Sequence, residues 1–167
     1  RWFRDTIADS EVAQAKNEGI DPYEILTKEA SQAEPGCEGL VFLPYLMGER
    51  TPHGDANAKG AFFGLTLRHK REHLIRSVME GVTYGMRDSL DIIRNLGLNV
   101  GQITATGGGA RSQLWRQMQA DIYDAMIKMR DEGIRHLPVV EGNTLVGLLT
   151  QKDILKVEPQ LFDILVE

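Results

Sequence analysis

The chain has 167 residues, 42% hydrophobic and 26% charged, with a formal net charge of −5. That length supports one domain or one and a half around a real core, and the acidic balance, with no basic cluster, argues against a nucleic-acid-binding surface. No apolar run reaches the ~20 residues that cross a bilayer, so no membrane association is expected; no signal peptide is expected, and the single cysteine, Cys37, excludes an internal disulfide and fits a reducing cytoplasm.

The chain opens on Arg1-Trp2-Phe3-Arg4, which reads as mid-helix, and an excerpt of a longer protein is expected. Residues 1–7 read as the end of a helix. Asp9 and Ser10 are candidate caps for a second helix over roughly 10–17, closed by Gly19. Asp21-Pro22 is a start signal, with Asp at the N-cap and Pro at the first helical position. The helix it opens carries Tyr23, Ile25, Leu26 and Ala30 and stops near Glu34-Pro35-Gly36. Leu40 to Leu43 and Ala61 to Leu65 read as short strands on either side of a loop over 44–60.

A long helix is predicted over about 70–96, with Leu74, Val78, Val82, Met86 and Ile93 on its apolar face. Ser77, Gly81 and Gly85 mark a second face. A glycine inside a helix costs about 1 kcal/mol relative to alanine, so close packing against another backbone is the expected compensation. Gly97 ends the helix. A strand over 102–106 then runs into Gly107-Gly108-Gly109, and a helix is expected to begin at once. Residues without side chains let backbone N–H groups approach a ligand, and a helix N-terminus adds partial positive charge, a combination suited to a phosphate.

That helix holds Leu114, Trp115, Met118, Ile122, Ala125, Met126 and Met129, and no Gly or Pro interrupts it before Gly133, so one helix of about twenty residues is predicted. His136 to Val140 and Leu145 to Leu149 read as a hairpin around Glu141-Gly142-Asn143-Thr144. Thr150 can cap a short helix over 151–156 with Asp153 at its third position, and Pro159 starts a last amphipathic helix.

Two family resemblances divide the chain. Gly60-Ala61-Phe62-Phe63-Gly64-Leu65, followed after seven residues by His73 to Glu80, resembles the second signature of the FGGY carbohydrate kinases. Phe42 to Pro52, Ala105 to Ser112 and Leu114 to Asp121 resemble the xylulokinase members. The resemblance covers about 1–122. It implies an α/β fold, part of an actin/ribonuclease-H-like domain, and ATP-dependent transfer of a phosphoryl group to a ketose with Mg²⁺. It places ATP contacts at Gly107, Gly108, Gly109 and Ala110. The family's catalytic aspartate matches no residue of this sequence; Asp5, Asp9 and Asp21 do not sit in its motif, so no catalytic residue is assigned.

Residues Ala125 to Ile154 resemble the helix, hairpin and following turn of a CBS (cystathionine-β-synthase-type) domain, covering about 124–157. The resemblance implies adenine-nucleotide contacts at Gly147, Thr150 and Asp153, and such domains pair, so a homodimer is expected. The divisions expected are 1–122, a partial kinase domain, and 123–167, a hairpin-plus-helix half module of CBS type joined to it through the long helix. A chimera is the simplest reading.

The remaining residues have plainer roles. His53, His69, His73 and His136 lack metal-ligand spacing, and no metal site is expected. Glu49-Arg50 fits either a cleft or a solvated loop ion pair, and Asp153 either a ribose contact or a cap partner of Thr150. Trp2 and Trp115 are expected in the core, and Cys37, in a Pro-Gly turn, is expected to be an exposed thiol.

Overall fold

Local chemistry starts the third helix. The Asp21 side chain accepts from the Tyr23 N–H at 3.0 Å and Pro22 supplies the first helical residue, giving α3, Pro22–Ala30. Before it lie α1, Trp2–Thr6, and α2, Asp9–Glu18, which Gly19 closes in the left-handed conformation. Neither Asp9 nor Ser10 caps α2. Ala8 occupies that position because its fully buried methyl fixes where the chain enters the helix. The Ser10 hydroxyl donates instead to Glu11 Oε2 at 3.0 Å.

The computed structural model describes residues 1–131 except 52, 99, 101 and 102, together with 136–141 and 144–150, and describes side chains up to residue 123. Two antiparallel pairs of strands are present. In the first, β1 (Val41–Leu43) pairs with β2 (Ala61–Phe63), placing Phe42 opposite Phe62. Then come α4, Arg71–Asn95, and α5, Gln113–Asp131. The second pair joins β3, His136–Glu141, to β4, Thr144–Thr150, with an irregularity between Val139 and Val140. The two strands therefore pair antiparallel, as expected; residues 142 and 143 and the helices expected after 150 lie outside the described residues.

The core gathers Phe3 and Ala8 from the N-terminal helices, Leu26 and Ala30 from α3, Ile75 and Met79 from α4, and Met118 from α5. Leu74, Val78, Leu114 and Trp115 pack against it, partly buried. Helix α4 is the spine, in contact with α3, β1 and α5. Its apolar face differs from the expected one. Leu74 and Val78 reach the core, but Met86 and Ile93 are 46% and 41% exposed. They share the Met79 face, about two and four turns further along, beyond the core built around Met79.

The small-residue face does what its spacing predicts. Ser77 is buried, and a Cβ on Gly81 would lie 2.1 Å from the Phe42 carbonyl oxygen, so the helix backbone rests on β1. Residues 103–106 are not a strand. No ladder partner reaches them among the described residues, and Ile103 is 48% exposed. An extended segment without a hydrogen-bonded neighbour is not a strand, whatever its propensity.

Cys37 is buried, contrary to its expected exposure. It sits in a 3₁₀ turn, Cys37–Gly39, whose chain folds back over α4. The thiol donates to Glu80 Oε2 at 3.6 Å, and the Gly36 N–H donates to Glu80 Oε1 at 3.1 Å. The Arg76 guanidinium lies 2.8 Å from the same carboxylate and donates to the Ala33 carbonyl at 2.9 Å. A Pro-Gly turn looks exposed in sequence, but the buried Arg76–Glu80 pair needs its backbone as a partner.

Candidate functional site

The glycine segment is a 3₁₀ turn, Gly108–Arg111, rather than the immediate start of α5. Ser112 separates the two. Its Oγ accepts from the Trp115 N–H at 3.2 Å, so one of the first N–H groups of α5 is already bound. The positive end of α5 is therefore set back from the three glycines. Gly107 and Gly108 are exposed, Gly109 and Ala110 half-buried.

Several contacts fix the inner side of this turn. The Ser112 N–H donates to the Gly109 carbonyl at 3.2 Å, and the Arg116 guanidinium donates to the Ala110 carbonyl. The Trp115 ring lies directly under Gly109, where an added Cβ would meet it at 2.7 Å. Trp115 Nε1 donates to Thr83 Oγ1 at 2.9 Å, tying the ring to α4. Trp115 thus packs with the core, as expected, and also supports the loop. Thr83 is fully buried, and nothing in the sequence marks it except its position one turn from Met79.

The sequence around the turn is basic. Between Asp91 and Asp121 the sequence has no acidic residue, while Arg94, Arg111 and Arg116 are basic. Exposed backbone without side chains is the kind of surface that phosphate oxygens can approach. No group of three His, Cys, Asp or Glu side chains among the described residues could hold a metal ion. A magnesium ion does not fit a site held by these side chains alone.

The second polar feature is the 44–60 loop. Glu49 is buried, and its Oε2 accepts from the His53 N–H at 2.7 Å and the Gly54 N–H at 3.0 Å. The Glu49 N–H donates to the Asp55 carbonyl at 2.7 Å. Glu49 thus turns one carboxylate oxygen to the loop's own backbone. Gly147 and Thr150 lie on β4 opposite Val139 and His136, and Asp153 lies outside the described residues.

Residues 1–134 match the model of the FGGY family of carbohydrate kinases, C-terminal domain. The chain belongs to the FGGY family of carbohydrate kinases. A second match, to the CBS domain, covers residues 117–159, so the two overlap on 117–134, mostly within α5. The gluconokinase of Bacillus licheniformis is 49% identical over 128 residues, which are 76% of this chain and 25% of that protein. The xylulose kinase of Escherichia coli K12 is 45% identical over 119 residues, 71% of this chain and 25% of that protein. Among solved structures, the xylulose kinase of Bifidobacterium adolescentis superposes with a TM-score of 0.56 at 39% identity, covering 67% of this chain and 22% of that one. The xylulose kinase of Rhodospirillum rubrum gives 0.56 at 34% identity, over 61% and 20%. The chain spans about a quarter of the length of the curated relatives it matches. Both gluconokinases and xylulose kinases stand among them, and this FGGY chain is a carbohydrate-kinase segment.

Proposed function

We propose that this chain is the nucleotide-side portion of an ATP-dependent sugar kinase with an actin/ribonuclease-H-like fold, and that Gly107, Gly108, Gly109 and Ala110 contact the ATP phosphates. The observation that carries the reading is the glycine turn: its Gly109 and Ala110 carbonyls are bonded within the turn and to Arg116, Gly107 and Gly108 are exposed, and it sits in a run of sequence without carboxylates. Phosphoryl transfer rests chiefly on positioning and charge stabilisation, which such a turn supplies on the nucleotide side. Magnesium would then arrive with the nucleotide phosphates.

The phosphoryl acceptor is a ketose of xylulose type, with gluconate as the competing substrate. The family's proton-accepting aspartate matches no residue of this chain, so the chain by itself binds nucleotide without turning it over. The test is the melting temperature with ATP or ADP and Mg²⁺. A rise at millimolar nucleotide that a Gly108→Val variant abolishes supports the reading; no rise defeats it. Turnover of ATP with D-xylulose by the purified chain would refute the inactivity.

A second reading is favoured by the match over 117–159. In it, residues 123–167 form a CBS-type half module, with Gly147, Thr150 and Asp153 contacting an adenine nucleotide once two chains pair. The chain is then a chimera of a kinase segment, 1–122, and that half module, held in the cytoplasm. Sedimentation with and without AMP separates the readings: an AMP-induced dimer supports the half module, and an unresponsive monomer rules it out.

A further inference from the structure

We propose that Trp115 and Thr83 are positioning residues for the nucleotide: a ring and a hydroxyl, remote from the phosphates, that set the shape of the glycine turn. The inference rests on the kinase reading of Gly107 to Ala110. Three observations carry it. The Trp115 ring fills the space under Gly109, where a Cβ would come to 2.7 Å, so the turn's backbone is seated on the indole. Trp115 Nε1 donates to Thr83 Oγ1 at 2.9 Å. The Thr83 hydroxyl donates its only proton to the Met79 carbonyl at 2.8 Å, leaving the oxygen as an acceptor aimed at the indole.

The chemistry makes this arrangement directional. A hydroxyl has one proton and two lone pairs. With the proton given to Met79, the Thr83 oxygen can only accept, and Trp Nε1 can only donate. The pair therefore has one orientation, and that orientation fixes the height at which the indole meets Gly109. Both partners are held from behind: Thr83 is fully buried in α4, and the Trp115 backbone is bound to Ser112 Oγ. A glycine turn supported in this way is already in shape before nucleotide arrives, and preorganisation of this kind raises affinity without any new contact to the ligand.

The experiment compares the full-length wild type with Thr83→Val, Thr83→Ser and Trp115→Phe. Trypsin cleavage after Arg111, exposed in the turn, is measured against cleavage after Arg68, exposed in the loop before α4. Loosening of the turn raises the first rate alone; general unfolding raises both. The expected result is an increase of about tenfold at Arg111 relative to Arg68 in Thr83→Val and Trp115→Phe, with Thr83→Ser at the wild-type ratio. An unchanged ratio in both variants overturns the proposal. So does a wild-type ADP affinity in Thr83→Val, where a loss of about fivefold is expected and recovery in Thr83→Ser. If the wild type binds no ADP, the kinase reading fails, and the cleavage ratio alone decides whether Trp115 and Thr83 shape the turn.

Discussion

The Gly81 backbone of α4 lies against the Phe42 carbonyl of β1 so closely that a Cβ at Gly81 would stand 2.1 Å from that oxygen. The clash is with backbone at the centre of the fold, and neither element can move without disturbing the core around Ile75 and Met79. Gly81→Ala should therefore destabilise the chain by about 1–3 kcal/mol from overpacking, against a gain of about 1 kcal/mol in helix propensity. A lower urea midpoint with an unchanged slope checks it; an unchanged or higher midpoint contradicts the close approach. Gly85→Ala, whose Cβ would meet only the Pro44 ring at 3.8 Å, should be neutral or stabilising.

The buried Cys37 thiol should be inert. Burial first, and the neighbouring Glu80 carboxylate second, push it up to about 12. The thiolate is the reactive form, so labelling by a disulfide reagent at pH 8 should be slow in the native chain and fast in urea. Rapid native labelling would place the thiol at the surface.

Arg76 and Glu80 form a buried ion pair completed by the Gly36 N–H and the Ala33 carbonyl. Removing one charge strands the other. Glu80→Leu should cost about 3 kcal/mol, and the Arg76→Met, Glu80→Leu double variant should lose less than Arg76→Met and Glu80→Leu summed. Additive losses in a double-mutant cycle would show that the two groups act separately.

Glu11 supplies an acid-sensitive contact. Burial acts to raise its carboxyl, but hydrogen bonds led by the one from Arg71 outweigh it, and the folded group lies below its ordinary 4.5. A lowered carboxyl contributes stability that is present above the unfolded value and lost as pH falls through the folded one. Glu29 works in the opposite sense, raised by burial and then by the Glu11 charge. Because Arg71 is partly exposed, Glu11→Gln should cost only about 1 kcal/mol at pH 7. The gap from wild type should narrow as pH falls below 4.5; a gap independent of pH would remove Glu11 as its source.

Glu49 staples the 44–60 loop through two N–H groups. Glu49→Ala should lose about 1.5–3 kcal/mol, the range for hydrogen bonds to a charged acceptor. Amide exchange at His53 and Gly54 should rise more than exchange in α4, and an equal rise in both would point to general unfolding.

Much of this protein could be read from its residues. Asp21-Pro22 places α3, Gly19 and Gly97 close their helices, the uninterrupted run after Ser112 becomes α5, and the strands read at 136–140 and 145–149 pair as β3 and β4. These features are local: capping, missing N–H groups and left-handed glycines act within a few residues. The family was equally legible, because its motifs are runs of side chains in fixed order. Other features needed partners distant in sequence. Residues 103–106 had strand composition but no neighbouring strand among the described residues, and Cys37 sat in a turn that Glu80, 43 positions later, draws inward. Thr83 looked like any helix residue until Trp115, 32 positions on, reached its hydroxyl. Burial and hydrogen bonding of this kind depend on which surfaces meet, and only the packing of α4 against β1, α3 and α5 decides that.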